Sequence, residues 1–174
     1  DVISNNASTN HSFFEENNSE RYATQLTYNK EISENRNFNF KNSISFFKRD
    51  LMLPNYQFLG KQFATFTEAT LNVFSEKSEW IFGGNIRTEN FTEKPTSSLD
   101  RSYNHNTFGV FTQNSWSVNE NMTLESGLRT DYNNNYGVFL LPRASLFIEF
   151  NNKFTSRIGG GMGYKNPTIF TEDA

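Results

Sequence analysis

Apolar and polar residues alternate along the last third of the chain, and the charges fall in one phase of the alternation. Between residues 122 and 132 the even positions are largely apolar, with Leu128 near the middle. The odd positions of the same stretch include Glu125, Arg129 and Asp131. A period of two with one apolar side is typical of a half-buried β-strand. The stretch is therefore predicted to be a strand with one polar and one apolar face.

The same alternation recurs twice towards the end of the chain. Residues 142–150 place Arg143 opposite an apolar side, and residues 156–164 place Arg157 in the polar phase, which continues to Lys165. Weaker versions of the pattern occur upstream. The predicted strands cover residues 21–30, 37–46, 61–74, 80–89, 108–118, 122–132, 142–150 and 156–164. The fold class is predicted to be all-β, an antiparallel meander of about eight strands.

The predicted connections alternate between tight turns and longer segments. Residues 1–20 are polar and are predicted to be a loop, as are the longer connections at 50–60 and 90–106. Outer-membrane barrels have short periplasmic turns and longer extracellular loops. This alternation therefore favours a transmembrane barrel and places the long connections outside the cell. A soluble β-sandwich, the alternative, also shows the period of two but does not predict this order of connections.

Aromatic residues with a polar edge support the same interpretation. Trp80 and Trp116 fall on the apolar side at the predicted periplasmic ends of their strands. Tyr22, Tyr132 and Tyr164 fall on that side near the predicted extracellular ends. Rings at both rims form the aromatic girdles expected of a membrane barrel.

Composition removes several other classes of protein. Mean hydropathy is -0.69 and no apolar run approaches the roughly 20 residues that a membrane helix needs. A barrel is compatible with this value because every second residue faces a wet lumen. The chain has no cysteine, which excludes disulfide scaffolds. Its net charge of -3, with both signs interspersed, carries no basic footprint for nucleic acid.

The domain organisation is predicted to be a single segment, residues 1–174, of a larger barrel. The chain starts without an initiator Met or a signal sequence, so a leader has been removed or the chain is an internal piece. Both ends fall on the predicted extracellular side, and residues 168–174 are polar instead of forming a closing strand. Two alternatives are a self-contained small outer-membrane barrel with a structural or adhesive role and a soluble β-rich domain that binds carbohydrate or protein.

No catalytic constellation emerges from the sequence, and no enzyme activity, cofactor or metal site is predicted. His11 and His105 lie in predicted loops, where a lone histidine is more often a solvated residue than a ligand. The run Gly159–Gly161 lies within a strand with no helix after it, so it does not resemble a phosphate-binding loop. Small residues there would instead let another backbone approach closely.

Four motifs in order resemble the barrel domain of TonB-dependent outer-membrane receptors. They lie at residues 109–116 (GVFTQNSW), 124–132 (LESGLRTDY), 141–146 (LPRASL) and 157–168 (RIGGGMGYKNPT). The Asn-rich turns resemble those of receptors from Bacteroidetes-type bacteria. The resemblance implies a 22-stranded barrel with an N-terminal plug domain, located in the outer membrane of a Gram-negative bacterium. It also implies TonB-driven uptake of a ferric siderophore, cobalamin, haem or glycan, and leaves the ligand open.

Within that resemblance, two groups of residues are the candidate functional contacts. The predicted lumenal charges are Glu125, Arg129, Asp131, Arg143, Arg157 and Lys165. They would contact the plug or line the substrate route, or else form a salt-bridge network that satisfies itself. The predicted extracellular-loop contacts to a small-molecule or metal-chelate ligand are Tyr56, Tyr103, His105 and Tyr136, together with Phe58 and Phe91. Outer-membrane lipid, the plug and TonB are the implied partners.

Overall fold

The chain folds into one antiparallel sheet in a computed structural model that describes residues 14–94 and 101–166. The strands are β1 (Glu16–Ser33), β2 (Arg36–Leu53), β3 (Tyr56–Phe74), β4 (Ser78–Glu93), β5 (Tyr103–Asn119), β6 (Met122–Asn133), β7 (Gly137–Asn151) and β8 (Phe154–Gly161). No helix capable of crossing a membrane occurs among the described residues. His11 and the polar segment 168–174 lie outside the described residues.

Each strand pairs with its neighbours in sequence, in the order β1 to β8, so the predicted meander is confirmed. Within the described part of the chain, β1 and β8 do not contact each other. The eight strands therefore form an open curved wall instead of closing as a small barrel. A β-sandwich would require a second sheet packed on this one. Residues 14–94 and 101–166 contain no such second layer.

The two faces of the sheet differ sharply in polarity, as the alternation predicts. Cross-strand partners share a face, and one such row joins Ile86, Phe108, Tyr132 and Val138. These side chains are highly exposed, Val138 at 67 %. We call this surface the apolar face. An exposed apolar surface of this extent is unfavourable in water and is suited to contact with lipid. The opposite surface, the polar face, carries the charges of β6, β7 and β8.

One end of the sheet carries the connections 54–55, 94–102 and 134–136, and we call it the loop end. The opposite end, which we call the turn end, carries the connections 34–35, 75–77, 120–121 and 152–153. The connection 94–102 at the loop end is longer than any of these. Trp80 and Trp116 lie on the apolar face near the turn end, and Tyr22 and Tyr132 lie on it near the loop end. Four of the five predicted girdle residues thus occupy the predicted rims.

The predicted long connection at 50–60 is wrong. Strand β2 continues to Leu53 and β3 begins at Tyr56, leaving a two-residue turn at Pro54 and Asn55. The ladder persists to the turn, with Leu51 opposite Phe58. Proline fits the second position of such a turn, so here it marks a hairpin tip and not a long loop. The connection between β2 and β3 is therefore as short as the two-residue connections of the turn end.

Two other predicted loops are shorter than expected for the same reason. Strand β1 begins at Glu16 within the predicted loop 1–20, and the predicted loop at 90–106 narrows to residues 94–102. Tyr56, Tyr103 and His105 are therefore strand residues and not loop residues, whereas Tyr136 lies in a turn. Polar side chains do not end a ladder when both strands continue to pair.

Strand β8 ends earlier than predicted, and this changes the side on which Tyr164 lies. After Gly161, the Met162 amide donates to the Pro142 carbonyl at 3.0 Å and regular pairing stops. Without a ladder the alternation no longer holds. The Tyr164 side chain lies on the polar face, where its ring stacks on Phe139 with 4.0 Å between centroids. The prediction that Tyr164 belongs to the apolar girdle is wrong.

Asparagine side chains hold the turns together, which accounts for their abundance. At the loop end, Asn134 and Asn135 both donate from Nδ2 to the Asn104 carbonyl, at 3.1 and 2.9 Å. Gly137 follows with φ at 82°, a conformation that favours glycine. At the turn end, Asn151 Oδ1 accepts from the Lys153 amide at 2.9 Å. Such side-chain bonds replace the ladder where a strand reverses.

Candidate functional site

Five rings form a continuous row across the polar face at the loop end of β3 to β6. The centroid separations are 6.4 Å from Phe58 to Phe91, 5.4 Å from Phe91 to Tyr103, 4.9 Å from Tyr103 to His105 and 5.7 Å from His105 to Tyr136. We call these five side chains the aromatic row. Separations in this range are favourable for aromatic pairs. Residues predicted as separate loop contacts are thus brought together on one surface.

A glycine in β3 makes room for the first half of the row. A Cβ atom at Gly60 would lie 2.6 Å from the Phe58 ring and 3.1 Å from the Phe91 ring. Because glycine lacks that atom, both rings pack against the backbone at Gly60. Phe91 is 2 % exposed and is the buried apolar side chain of the described residues. The row therefore has a packed centre and more open ends.

Hydrogen bonds set the orientation of the polar rings in the row. The Tyr103 hydroxyl donates to Glu89 Oε1 at 2.7 Å, and Gln62 Nε2 donates to the same oxygen at 2.7 Å. His105 Nδ1 is hydrogen-bonded to Asn135 Nδ2 at 2.8 Å. These contacts satisfy the polar edges and leave the ring faces to make van der Waals contact.

An ion pair fixes the base of the 94–102 connection beside the row. Arg101 Nε donates to Glu93 Oε2 at 2.7 Å, and a second guanidinium nitrogen donates to the other carboxylate oxygen. The same guanidinium donates to the Tyr56 hydroxyl at 3.2 Å and lies 5.7 Å from the Phe58 ring centroid. The bonds to Glu93 and Tyr56 raise the pKa of Arg101 further above its ordinary value. Tyr56 is joined to the aromatic row through this arginine.

A concave space of about 990 Å³ lies on the polar face next to the aromatic row. Its lining includes Gln62, Glu89, His105, Arg129, Asp131 and Tyr164. The segment 163–166 borders it from the side of β8. We call this space the central cavity. Its size falls at the upper end of the range typical of small-molecule sites.

Buried polar groups form one wall of the central cavity. Asp131 is 3 % exposed and accepts from Arg129 Nε at 2.9 Å and from the Tyr164 hydroxyl at 3.0 Å, both at Oδ2. Arg129 also donates to Asn85 Oδ1 at 3.1 Å. Asp131, Arg129 and Asn85 cross Gly109, where a Cβ atom would lie 2.4 Å from Asp131 Oδ1. Glycine at this position is what allows the network to form.

Comparison with known proteins identifies this architecture. The family described as "TonB dependent receptor-like, beta-barrel" matches residues 2–174. The chain belongs to this family. Its members are receptors and transporters of Gram-negative outer membranes, not enzymes, and their barrels have 22 strands. No curated protein sequence matches the chain.

Two solved structures share the fold of this TonB-dependent receptor barrel. The siderophore receptor PirA from Pseudomonas aeruginosa aligns with a TM-score of 0.70 and 15 % identity, over 91 % of this chain and 29 % of that one. A mutant of the ferric enterobactin receptor PfeA from the same organism aligns with a TM-score of 0.71 and 13 % identity, over 88 % and 26 %. The chain thus spans under a third of either structure.

The six predicted lumenal charges of the TonB-dependent receptor segment divide into two groups. Arg129, Asp131 and Lys165 border the central cavity. The other three lie nearer the turn end, where Arg157 is 3.7 Å from Glu125 and lies over the Phe147 ring. Arg143, also in that group, donates to Gln113 Oε1. Four of the six charges therefore form ion pairs within the wall, Glu125 with Arg157 and Arg129 with Asp131.

Sequence reasoning missed several residues of the candidate site. Asn85 and Glu89 occupy the polar phase of β4, so the alternation contained a signal for them. Arg101 has no such signal, because it lies in the connection between β4 and β5. It contacts Glu93 only because these two strands pair. Among residues 14–94 and 101–166, no group of three or more His, Cys, Asp or Glu side chains could hold a metal ion.

Gly109→Ala should disturb the central cavity of the TonB-dependent receptor. The added Cβ forces Asp131, Arg129 and Asn85 apart, at a cost of about 1–3 kcal/mol in the free energy of unfolding. The measurement is the thermal unfolding midpoint of the detergent-solubilised receptor. Gly160→Ala is the matched control, since nothing lies within 4 Å of a Cβ there. Equal midpoints for the two variants would contradict the assignment.

Proposed function

We propose that the chain forms part of the barrel wall of a TonB-dependent receptor in the outer membrane of a Gram-negative bacterium. The receptor takes up a scarce nutrient such as a ferric siderophore, cobalamin or haem. The observation that carries this proposal is the aromatic row beside the central cavity, on the polar face at the loop end. In this arrangement the loop end faces the medium and residues 1–174 are a segment of the barrel domain.

The aromatic row supplies the type of surface that captures a small ligand. Ring faces bind planar or apolar groups, and the hydrogen-bonded edges add directional contacts. Tyr136, at one end of the row, is 44 % exposed and open to an arriving ligand. Tyr56, joined to the other end of the row through Arg101, is equally open, at 44 %. We assign first contact to these two tyrosines and the packed centre to Phe91.

The charges of the polar face have two roles in the proposal. Glu125 with Arg157, and Arg129 with Asp131, are matched pairs and so stabilise the wall. Lys165 takes part in no ion pair among the described residues and borders the central cavity. We assign Lys165 to contact with the plug domain or with an anionic ligand. The plug and TonB couple ligand release to energy from the inner membrane, as in the family.

Tyr136→Ala should weaken ligand binding by roughly tenfold, the value of one aromatic contact. The amount of folded receptor should not change, because Tyr136 lies in a turn and stacks on His105 at the end of the row. The measurement is the affinity of cells that carry the intact receptor for a panel of ferric siderophores, cobalamin and haem, in a strain without its own copy.

Tyr132→Ala is the matched control for that experiment. Tyr132 is 50 % exposed but lies on the apolar face, away from the aromatic row. Its removal should leave ligand affinity as it is. If no compound in the panel binds, or if both variants bind the active compound equally well, the proposed site is wrong.

A further inference from the structure

A row of charged residues lies on the apolar face just beyond its aromatic rim. Across β1, β2 and β3, Tyr22, Phe46 and Phe63 are directly opposite one another. Two residues further towards the loop end, the next row on the same face is Glu20, Lys48 and Lys61. The side chains on the apolar face therefore change from aromatic to charged within one step of the ladder.

The position of this row matches the boundary between hydrocarbon and headgroups. Tyr22 and Phe46 stack with 6.5 Å between ring centroids, as expected of rings in the interfacial girdle. Residues one step further out meet the polar part of the leaflet. Lysine side chains there direct their ammonium groups to the headgroups and keep their stems along the apolar surface.

The charges of the row do not cancel within the sheet. Lys48 and Lys61 are directly opposite in the ladder, an arrangement that is unfavourable for like charges. Lys48 Nζ lies 3.4 Å from Glu20 Oε1. No carboxylate of the described residues lies within ion-pairing distance of Lys61. Asp50, one row further out, accepts a hydrogen bond from Gln57 at 3.5 Å. Among residues 14–94 and 101–166, Lys61 therefore has no ion-pair partner.

We propose that Lys48 and Lys61 together bind the phosphate of an anionic lipid headgroup in the leaflet at the loop end. A phosphate between the two ammonium groups removes their repulsion and supplies several acceptor oxygens. The lipid chains then lie along Tyr22, Phe46 and Phe63. This inference rests on the membrane location in the proposed function, but not on the identity of the transported ligand.

The test uses the intact receptor in nanodiscs of phosphatidylcholine that contain a minor fraction of phosphatidic acid. Native mass spectrometry measures the fraction of receptor that retains phosphatidic acid as its amount is varied. The double variant Lys48→Gln with Lys61→Gln should bind phosphatidic acid about 30-fold more weakly, from two lysines that each contribute a severalfold effect. Inorganic phosphate should not compete, because it lacks the chains that pack on the rim.

Lys30→Gln is the matched control. Lys30 lies on the same face of β1, opposite Phe38, but at the turn end of the sheet. It should retain phosphatidic acid as the unmodified receptor does. The inference is overturned if the double variant binds as tightly as Lys30→Gln, or if inorganic phosphate displaces the lipid. If every receptor, the control included, fails to insert into nanodiscs, the proposed membrane location fails as well, which separates the two results.

Discussion

Leu128→Arg is expected to destabilise the barrel by about 2–4 kcal/mol, the cost of a cation at the middle of the lipid-facing surface. Leu128 lies near the centre of β6, is 45 % exposed on the apolar face and is opposite Thr112 and Pro142. An arginine there has no charged partner and must leave water for hydrocarbon. Leu146, on the same face of β7, should respond in the same way.

The measurement for Leu128→Arg is the free energy of unfolding of the intact receptor in lipid vesicles, from a denaturant titration. Ser145→Arg is the matched control, since Ser145 lies on the polar face and donates to Glu125 Oε2 at 2.9 Å. A guanidinium at that position remains in water beside a carboxylate. If arginine is tolerated equally at positions 128 and 145, the apolar face does not face lipid.

Phe91→Ala is expected to remove the packed centre of the aromatic row. Truncating a buried phenylalanine costs about 3–5 kcal/mol in a well-packed region. Here it also separates Phe58 from Tyr103, which lie on either side of it. Ligand affinity should fall at least tenfold because the remaining rings lose the support that holds them in line.

Phe82→Ala provides the comparison for Phe91→Ala on the same strand. Phe82 is 46 % exposed on the apolar face, where it stacks on Trp80 at 5.7 Å. Its loss should change the thermal midpoint slightly and ligand affinity not at all. Ligand affinity is measured in the cell-binding assay described for Tyr136→Ala, normalised to the amount of folded receptor. A loss of affinity for Phe82→Ala as large as that for Phe91→Ala would remove the aromatic row from the site.

Much of the wall was predictable from single residues. The alternation around Leu128 and Arg129 follows from the geometry of any strand, so it assigned each side chain to a face without knowledge of its neighbours. The four motifs between residues 109 and 168 indicated the TonB-dependent receptor barrel, which the family match confirms. Tyr56, Tyr103, His105 and Tyr136 were also predicted as possible contacts, although not as one surface.

The sequence by itself determined the period of two, the order of the strands and the side on which most charges lie, because these depend on local geometry. Only the tertiary structure decided where the ladders end and which side chains meet across them. The hairpin at Pro54, the crossing of Tyr164 to Asp131 and the pairing of Arg101 with Glu93 all depend on register between strands. Register is a property of two paired strands, and the sequence of one strand alone does not determine it.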